Sequence, residues 1–155
     1  MDNIVKVSLV GAQNVGKTSI KNLLEGHPQS ATTSREPTIG VGFGKVEIDD
    51  KTYCLWDYGG QKQFQFMWDS FLKGTKLTIV VTDSTEKNVE ETKEMLERFN
   101  RFHGAKVIAL ANKQDLPGAL SPEIVGQRLG IKTYGTVAVD AKSTTTLLNL
   151  LKSEI

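Results

Sequence analysis

Short apolar runs alternate with amphipathic segments along this chain. The runs Ile4–Val10, Leu77–Asp83, Ala105–Ala111 and Thr136–Val139 are rich in β-branched residues, and a helical pattern follows each of them. Continuous apolar strands separated by helices are typical of a parallel sheet that is covered on both faces. The helices are predicted at residues 18–24, 86–102, 122–129 and 144–151.

One pair of predicted strands is joined differently. Val41–Asp49 and Thr52–Asp57 are connected by a short Asp-Asp-Lys turn, which is long enough only for an antiparallel hairpin. The whole pattern therefore predicts a three-layer α/β fold, in which a six-stranded, mostly parallel sheet has one antiparallel edge strand and helices on both faces. Gly40, Gly42 and Gly44 alternate in the edge strand, so its register is predicted to be weakly fixed.

Length and composition narrow the class of protein. The 155 residues predict a single domain over residues 1–155, and 39% hydrophobic with 24% charged residues is ordinary for a globular protein. A net charge of +1 argues against nucleic-acid binding. Because the chain lacks a spanning apolar run, a myristoylation glycine and a prenylation cysteine, we expect a cytoplasmic protein without a membrane anchor of its own.

The strongest motif is Gly11-Ala12-Gln13-Asn14-Val15-Gly16-Lys17-Thr18, which matches G-x-x-x-x-G-K-[ST] in full. It follows a predicted strand and opens a helix, as a phosphate-binding loop does. Glycines let backbone N–H groups face phosphate oxygens, and the helix N-terminus adds partial positive charge. Lys17 is predicted to reach the β- and γ-phosphates, and Thr18 to bind Mg²⁺. The phosphate-binding residues are predicted to be Gln13, Asn14, Val15, Gly16, Lys17, Thr18 and Ser19.

A second motif, Leu55-Trp56-Asp57-Tyr58-Gly59-Gly60-Gln61, lies at the end of a predicted strand. A carboxylate at the strand end, Asp57, can hold Mg²⁺ through water. The backbone N–H of Gly60 is suited to the γ-phosphate, and Gln61 is predicted to orient the attacking water.

A third motif, Asn112-Lys113-Gln114-Asp115, follows another apolar strand and indicates the base. The Asp115 carboxylate can accept hydrogen bonds from both N1–H and the exocyclic amine of guanine, a pair of donors that adenine lacks. A site built on such a pair strongly rejects an analogue without it. Lys113 is predicted to lie along the purine face. This motif argues against an ATP-using enzyme, which the phosphate loop alone leaves open.

With these three motifs the chain resembles the Ras-like small GTPase superfamily over essentially its whole length. Within it, the chain looks most like the Arf and Arf-like branch. That closer likeness rests on Pro37-Thr38-Ile39-Gly40, on Trp56–Gln61 with Trp68 beyond it, and on Asn112–Gly118. The resemblance implies the P-loop GTPase fold and a molecular switch that binds GTP or GDP with Mg²⁺ and hydrolyses GTP slowly. It also implies effector, exchange-factor and GTPase-activating protein partners.

The resemblance assigns roles to four further residues. Thr38 would be the switch I threonine that closes on Mg²⁺ and the γ-phosphate. Ala141 would donate its N–H to the guanine carbonyl, with Lys142 beside the base. Arg35 lies three residues before Thr38, which is the offset at which Gα proteins hold an arginine that stabilises the transition state. Catalysis is therefore assigned to Gln61, Lys17 and Arg35. A solvated arginine that points outward stays the alternative for Arg35, because Pro37 stiffens the loop before Thr38.

Some features depart from the Arf pattern. Asp140-Ala141-Lys142 looks more like the Ser-Ala-Lys motif of the Ras and Rab branches, and Val41 stands where Arf proteins usually have Phe. The sequence also begins at its first strand, whereas Arf proteins begin with an amphipathic helix. A constitutively GTP-bound partner subunit with little hydrolysis stays an alternative function, because it would share every nucleotide contact.

Overall fold

A computed structural model describes residues 3–26, 41–59, 72–98, 105–137, 140 and 142–155. Within these ranges the strands are β1 (Ile4–Val10), β2 (Val41–Ile48), β3 (Lys51–Tyr58), β4 (Leu77–Thr82), β5 (Lys106–Ala111) and β6 (Thr133–Gly135). The helices are α1 (Lys17–Leu24), α2 (Glu86–Arg98), α3 (Pro122–Leu129) and α4 (Ser143–Glu154). None of these described helices is both long and apolar enough to span a bilayer.

The six strands form one sheet in the order β2-β3-β1-β4-β5-β6. β2 pairs antiparallel with β3, and every other neighbouring pair is parallel. This confirms the predicted α/β fold with a mostly parallel sheet and one antiparallel edge strand. Because β1, β3, β4, β5 and β6 run in the same direction, their carboxyl ends share one edge of the sheet, where ligands bind in open α/β sheets.

Helices cover both faces of the sheet, as predicted. All six residues of β4 are buried, which is why this strand reads as a continuous apolar run. One cluster joins the strands to α1 and α4 and includes Val7, Leu9, Ile20, Ile79, Leu110, Leu147 and Leu151. The cluster on the opposite face joins them to α2 and includes Val10, Tyr58, Val80, Met95 and Ala109.

The last strand lies earlier in the chain than the sequence pattern predicts. The prediction of a strand at Thr136–Val139 is wrong for its first two residues, because β6 ends at Gly135, and residues 138–139 lie outside the described ranges. Gly135 makes β6 hard to recognise from the sequence, because glycine is uncommon in strands. Close packing requires this glycine, since a Cβ on it would lie 2.6 Å from Cγ of Pro122. The other boundaries differ from the predictions by at most three residues, apart from the end of α2, beyond which residues 99–104 are not described.

The amino-terminal helix contacts the edge strand at one of its glycines. The Lys45 N–H lies 3.4 Å from Oε2 of Glu25, and Nζ of Lys21 lies 3.2 Å from Oε1 of the same carboxylate. A Cβ on Gly44 would lie 2.6 Å from the Glu25 carboxyl carbon. The glycine that was predicted to weaken the strand register thus also makes room for a side chain that holds the strand.

The end of α4 is tied to the opposite, amino-terminal edge of the sheet. The Glu154 side chain is 1% exposed, and its carboxylate lies 2.7 Å from Nζ of both Lys106 and Lys132. The Tyr134 hydroxyl donates a hydrogen bond to the same carboxylate. Hydrogen bonds from Lys106, Lys132 and Tyr134 lower the pKa of Glu154 from 4.5 to about 2.

We predict that Glu154→Gln lowers the free energy of unfolding at neutral pH, and that this difference from the wild type shrinks under acid. A carboxylate with a depressed pKa stabilises the folded state above its unfolded value of about 4.5 and loses that effect as the pH falls toward 2. Urea unfolding at pH 7, 4 and 3 measures the difference. Glu97→Gln, at an exposed position of α2, is the control and should have little effect at any pH. A difference that is constant with pH would contradict the assignment.

Candidate functional site

The predicted phosphate loop connects β1 to α1 at the carboxyl edge of the sheet. Its two glycines have backbone conformations and neighbours that exclude a side chain. A Cβ on Gly11, which has a φ of 153°, would lie 2.5 Å from the Val81 carbonyl oxygen. On Gly16, which has a φ of 105°, it would lie 2.2 Å from Nδ2 of Asn112. The loop therefore packs with its backbone directly against the ends of β4 and β5.

The residue that precedes α1 provides no side-chain cap. The residue before the helix is Gly16, which offers no capping side chain, and the first turn contains no acidic residue. In contrast, α3 begins with a capping hydrogen bond from the Ile124 N–H to the Ser121 hydroxyl. The first N–H groups of a helix have no intrahelical acceptor, so the start of α1 is suited to bind an anion.

Lys17 stands at the start of α1 with its ammonium group inside the loop. Its Nζ donates to the carbonyl oxygens of Gly11 at 3.1 Å and Ala12 at 2.8 Å. The residue is 7% exposed, and burial lowers the pKa of Lys17 from 10.5 to about 8, against the opposing effect of the Asp57 carboxylate. A buried cation at a helix N-terminus is a favourable partner for phosphate oxygens.

Two oxygen ligands predicted for a metal ion meet beside this lysine. The Thr18 hydroxyl donates to Oδ2 of Asp57 over 2.6 Å, and Asp57 is 1% exposed. A hydroxyl and a carboxylate are hard oxygen donors of the kind that Mg²⁺ prefers. In the described part of the chain no three His, Cys, Asp or Glu side chains are grouped as a metal site.

Asn112 joins three loops at the end of β5. Its Nδ2 donates to the Val15 carbonyl at 2.9 Å, and its Oδ1 accepts from the Thr136 hydroxyl at 2.9 Å. The backbone carbonyl oxygen of Asn112 accepts a hydrogen bond from the Ser84 hydroxyl at 2.6 Å. The side chain thus fixes the base motif against the phosphate loop, a role that the sequence alone did not indicate.

Lys113 and Asp115 face outward next to Asn112. Nζ of Lys113 donates to the Asn14 carbonyl at 2.6 Å, so this side chain reaches across to the phosphate loop. The residue has a φ of 61°, an uncommon value for a residue other than glycine. Asp115 is exposed. The structure therefore brings the base motif and the phosphate loop together at one edge of the sheet.

The other predicted residues are placed as follows. In the phosphate loop, Gln13 and Asn14 are exposed, Val15 is buried and Ser19 is half-buried. Lys142 is exposed at the start of α4, where its backbone N–H donates to Oδ1 of Asp140 at 2.9 Å. The predictions for Arg35, Thr38, Gly60, Gln61 and Ala141 fall outside the described residues.

Two residues that contact the base motif were missed by sequence reasoning. Thr136 and Ser84 both bond Asn112 through their hydroxyl groups, and both are buried. Each lies just after the end of a strand at the carboxyl edge of the sheet. A correct placement of β6 would have brought Thr136 to this edge, but Ser84 carries no comparable signal in the sequence.

Comparisons with known proteins show which family the chain is similar to. The model of the ADP-ribosylation factor family matches residues 1–154. ADP-ribosylation factor-like protein 5 of Caenorhabditis elegans is 34% identical over 132 residues, which cover 83% of this chain and 72% of that protein. ADP-ribosylation factor-like protein 8b of Arabidopsis thaliana is 33% identical over 133 residues, or 83% and 71% of the two chains. ADP-ribosylation factor-like protein 2 of Drosophila melanogaster is 31% identical over 136 residues, or 85% and 72%.

We predict that Gly16→Ala lowers the free energy of unfolding more than Gly74→Ala does. Both glycines have positive φ angles, 105° and 81°, but a Cβ on Gly74 would meet nothing within 4 Å. Gly74→Ala should therefore show the backbone cost alone, about 1–2 kcal/mol. Gly16→Ala also displaces the Asn112 amide from Val15 and should cost about 1 kcal/mol or more beyond that. Urea unfolding compares the two variants, and equal losses would contradict the close contact between Gly16 and Asn112.

Proposed function

The chain belongs to the ADP-ribosylation factor family and is a small GTPase, and on this premise we propose that it is a switch that binds GTP or GDP with Mg²⁺ and hydrolyses GTP slowly. The observation that carries the proposal is the meeting of two motifs at one sheet edge. Asn112 and Lys113 both bond carbonyl oxygens of the phosphate loop. A nucleotide lying along this edge would have its phosphates at α1 and its base at Asp115.

The phosphate end of the proposed site uses the start of α1. Backbone N–H groups over residues 13–19 would bind the phosphate oxygens, and Lys17 would leave the carbonyls of Gly11 and Ala12 to reach the β- and γ-phosphates. Thr18 and Asp57, together with Thr38, would hold Mg²⁺, which neutralises charge on the phosphates when it is bound. The uncapped helix and the buried ammonium of Lys17 support this assignment.

The base end of the proposed site is specific for guanine. Asp115 would accept hydrogen bonds from N1–H and the exocyclic amine, while the Lys113 stem would lie along the purine face. The segment after β6 is proposed to contact the guanine carbonyl, through Ala141 with Lys142 beside the base. Thr136, at the start of that segment, already bonds Asn112.

Hydrolysis is proposed to follow the phosphoryl-transfer scheme of this class, in which positioning and charge stabilisation do most of the catalysis. Gln61 would orient the water for in-line attack, Gly60 would bond the γ-phosphate, and Lys17 would stabilise the developing charge. Arg35 is the candidate for a further positive charge supplied by the chain itself.

Effectors, exchange factors and GTPase-activating proteins are proposed to contact the segments that bear Thr38 and Gln61.

We expect Asp115→Asn to shift nucleotide preference from GTP toward XTP. The asparagine amide cannot accept from both guanine donors, whereas xanthine presents an oxygen in place of the exocyclic amine. Competition against fluorescent GDP measures affinity for GTP, XTP and ATP. Asp50→Asn, at an exposed turn of the β2–β3 hairpin, is the control and should keep the wild-type order. Wild-type protein that binds ATP as tightly as GTP would overturn the base assignment.

We expect Gln61→Leu to slow single-turnover GTP hydrolysis without weakening GTP binding, because it removes only the group that orients water. Nucleotide analysis of the purified wild-type protein comes first, since retained GTP with no turnover would favour the alternative of a constitutively GTP-bound subunit.

Arg35→Ala is assayed in parallel without any activating protein. A fall of about tenfold, or about 1.4 kcal/mol, would support an arginine finger within the chain. An unchanged rate would assign that charge to a partner protein.

A further inference from the structure

The third residue of the base motif, Gln114, turns inward, whereas Lys113 and Asp115 on either side of it face outward. Nε2 of Gln114 donates to the Ser84 hydroxyl oxygen at 2.9 Å and to the Leu120 carbonyl at 2.9 Å. Its backbone N–H also donates to the Thr136 carbonyl at 3.2 Å. An amide nitrogen has two protons, so both side-chain donors of Gln114 are used inside the protein.

Ser84, which accepts a hydrogen bond from the Gln114 side chain, is itself held firmly by its surroundings. It is fully buried and has a φ of 69°, in the left-handed region that residues other than glycine seldom adopt. Its hydroxyl donates to the Asn112 carbonyl at 2.6 Å while it accepts from Gln114. Its backbone carbonyl accepts from the Leu120 N–H at 2.8 Å. The turn after β4 therefore holds both ends of the loop from Asn112 to Leu120.

Asp115 depends on this support. It is exposed, and among the described residues no side chain donates a hydrogen bond to its carboxylate. Its direction is set by the backbone between Gln114 and the turn in which the Leu116 N–H donates to the Lys113 carbonyl at 3.0 Å. A carboxylate that must accept two hydrogen bonds from one base edge needs its backbone held closely, because hydrogen bonds weaken steeply with misalignment.

We propose that Gln114 and Ser84 are positioning residues for guanine specificity, which hold the loop so that Asp115 can meet N1–H and the exocyclic amine together. The inference rests on the proposed function. The two residues touch neither base nor phosphate and act through Asn112 and Asp115. The amide of Gln114 suits this role because it supplies two donors, one to the Ser84 hydroxyl and one to the Leu120 carbonyl.

The test compares affinities for GDP and IDP, measured with Mg²⁺ by displacement of fluorescent GDP. IDP differs from GDP only in lacking the exocyclic amine, so the ratio of the two affinities reports the contact between Asp115 and that amine. Gln114→Met keeps the length of the side chain and removes both donors, and Ser84→Ala removes the hydroxyl. Each should lower the GDP-to-IDP affinity ratio about tenfold.

Ser8→Ala is the matched control for lost stability. Ser8 is also a fully buried serine, and its hydroxyl bonds the Tyr58 hydroxyl at 2.9 Å and the Thr75 hydroxyl at 2.8 Å. It lies within β1, apart from the base motif. Its substitution should lower the free energy of unfolding to a similar extent and leave the GDP-to-IDP ratio at the wild-type value.

The outcomes separate this inference from the proposed function. If the wild type prefers GDP to IDP and the folded variants keep that ratio, the positioning role is wrong while the function stands. If the wild type shows no preference, both the base assignment and the inference are overturned. Should Gln114→Met fail to fold, Ser84→Ala alone decides the matter, since it removes a single oxygen atom. A lowered ratio in Ser8→Ala as well would show a general effect of stability and would reject the inference.

Discussion

The functional edge of this protein depends on the buried side chain of Asn112. The side-chain amide of Asn112 bonds Val15 and Thr136, in the loops after β1 and β6, and its backbone carbonyl accepts from Ser84, in the loop after β4. The residue is 2% exposed, and a polar group that loses its partner in such a place costs about 1–3 kcal/mol. These bonds therefore hold the three loops in one relative arrangement and fix the base motif against the phosphate loop.

The two halves of the site differ in how fully their polar groups are satisfied. At the base end, Ser84 and Gln114 bond each other and the surrounding backbone. At the phosphate end, α1 begins without a cap, and the ammonium of Lys17 is buried against carbonyl oxygens. These features leave the phosphate end less stable without a ligand than it would be with an anion bound, because an anion would bond both the helix start and the ammonium. A ligand that binds only the folded state also stabilises it.

The opposite edge of the sheet, at the amino ends of the strands, connects the last helix to the sheet. There Glu154 connects the end of α4 to the beginnings of β5 and β6 through Lys106, Lys132 and Tyr134. These contacts lie at the amino ends of the strands, whereas the candidate site lies at their carboxyl ends. The contacts of Glu154 with Lys132 and Tyr134 therefore also hold β6, which is only three residues long and ends directly before Thr136.

The sequence by itself determined most of the strands, the phosphate loop and the base motif, because each is recorded in residues that are close together in the chain. Strand patterning gave five of the six strands nearly in place, and G-x-x-x-x-G-K-T marked the turn from β1 into α1. Only the tertiary structure decided the place of β6, whose glycine is explained by packing against Pro122. It also decided the partners of Asn112 and the inward turn of Gln114. The reason is distance along the chain: Asn112 and Val15 are 97 positions apart, and no local pattern records which buried donor will meet which acceptor once the strands have packed.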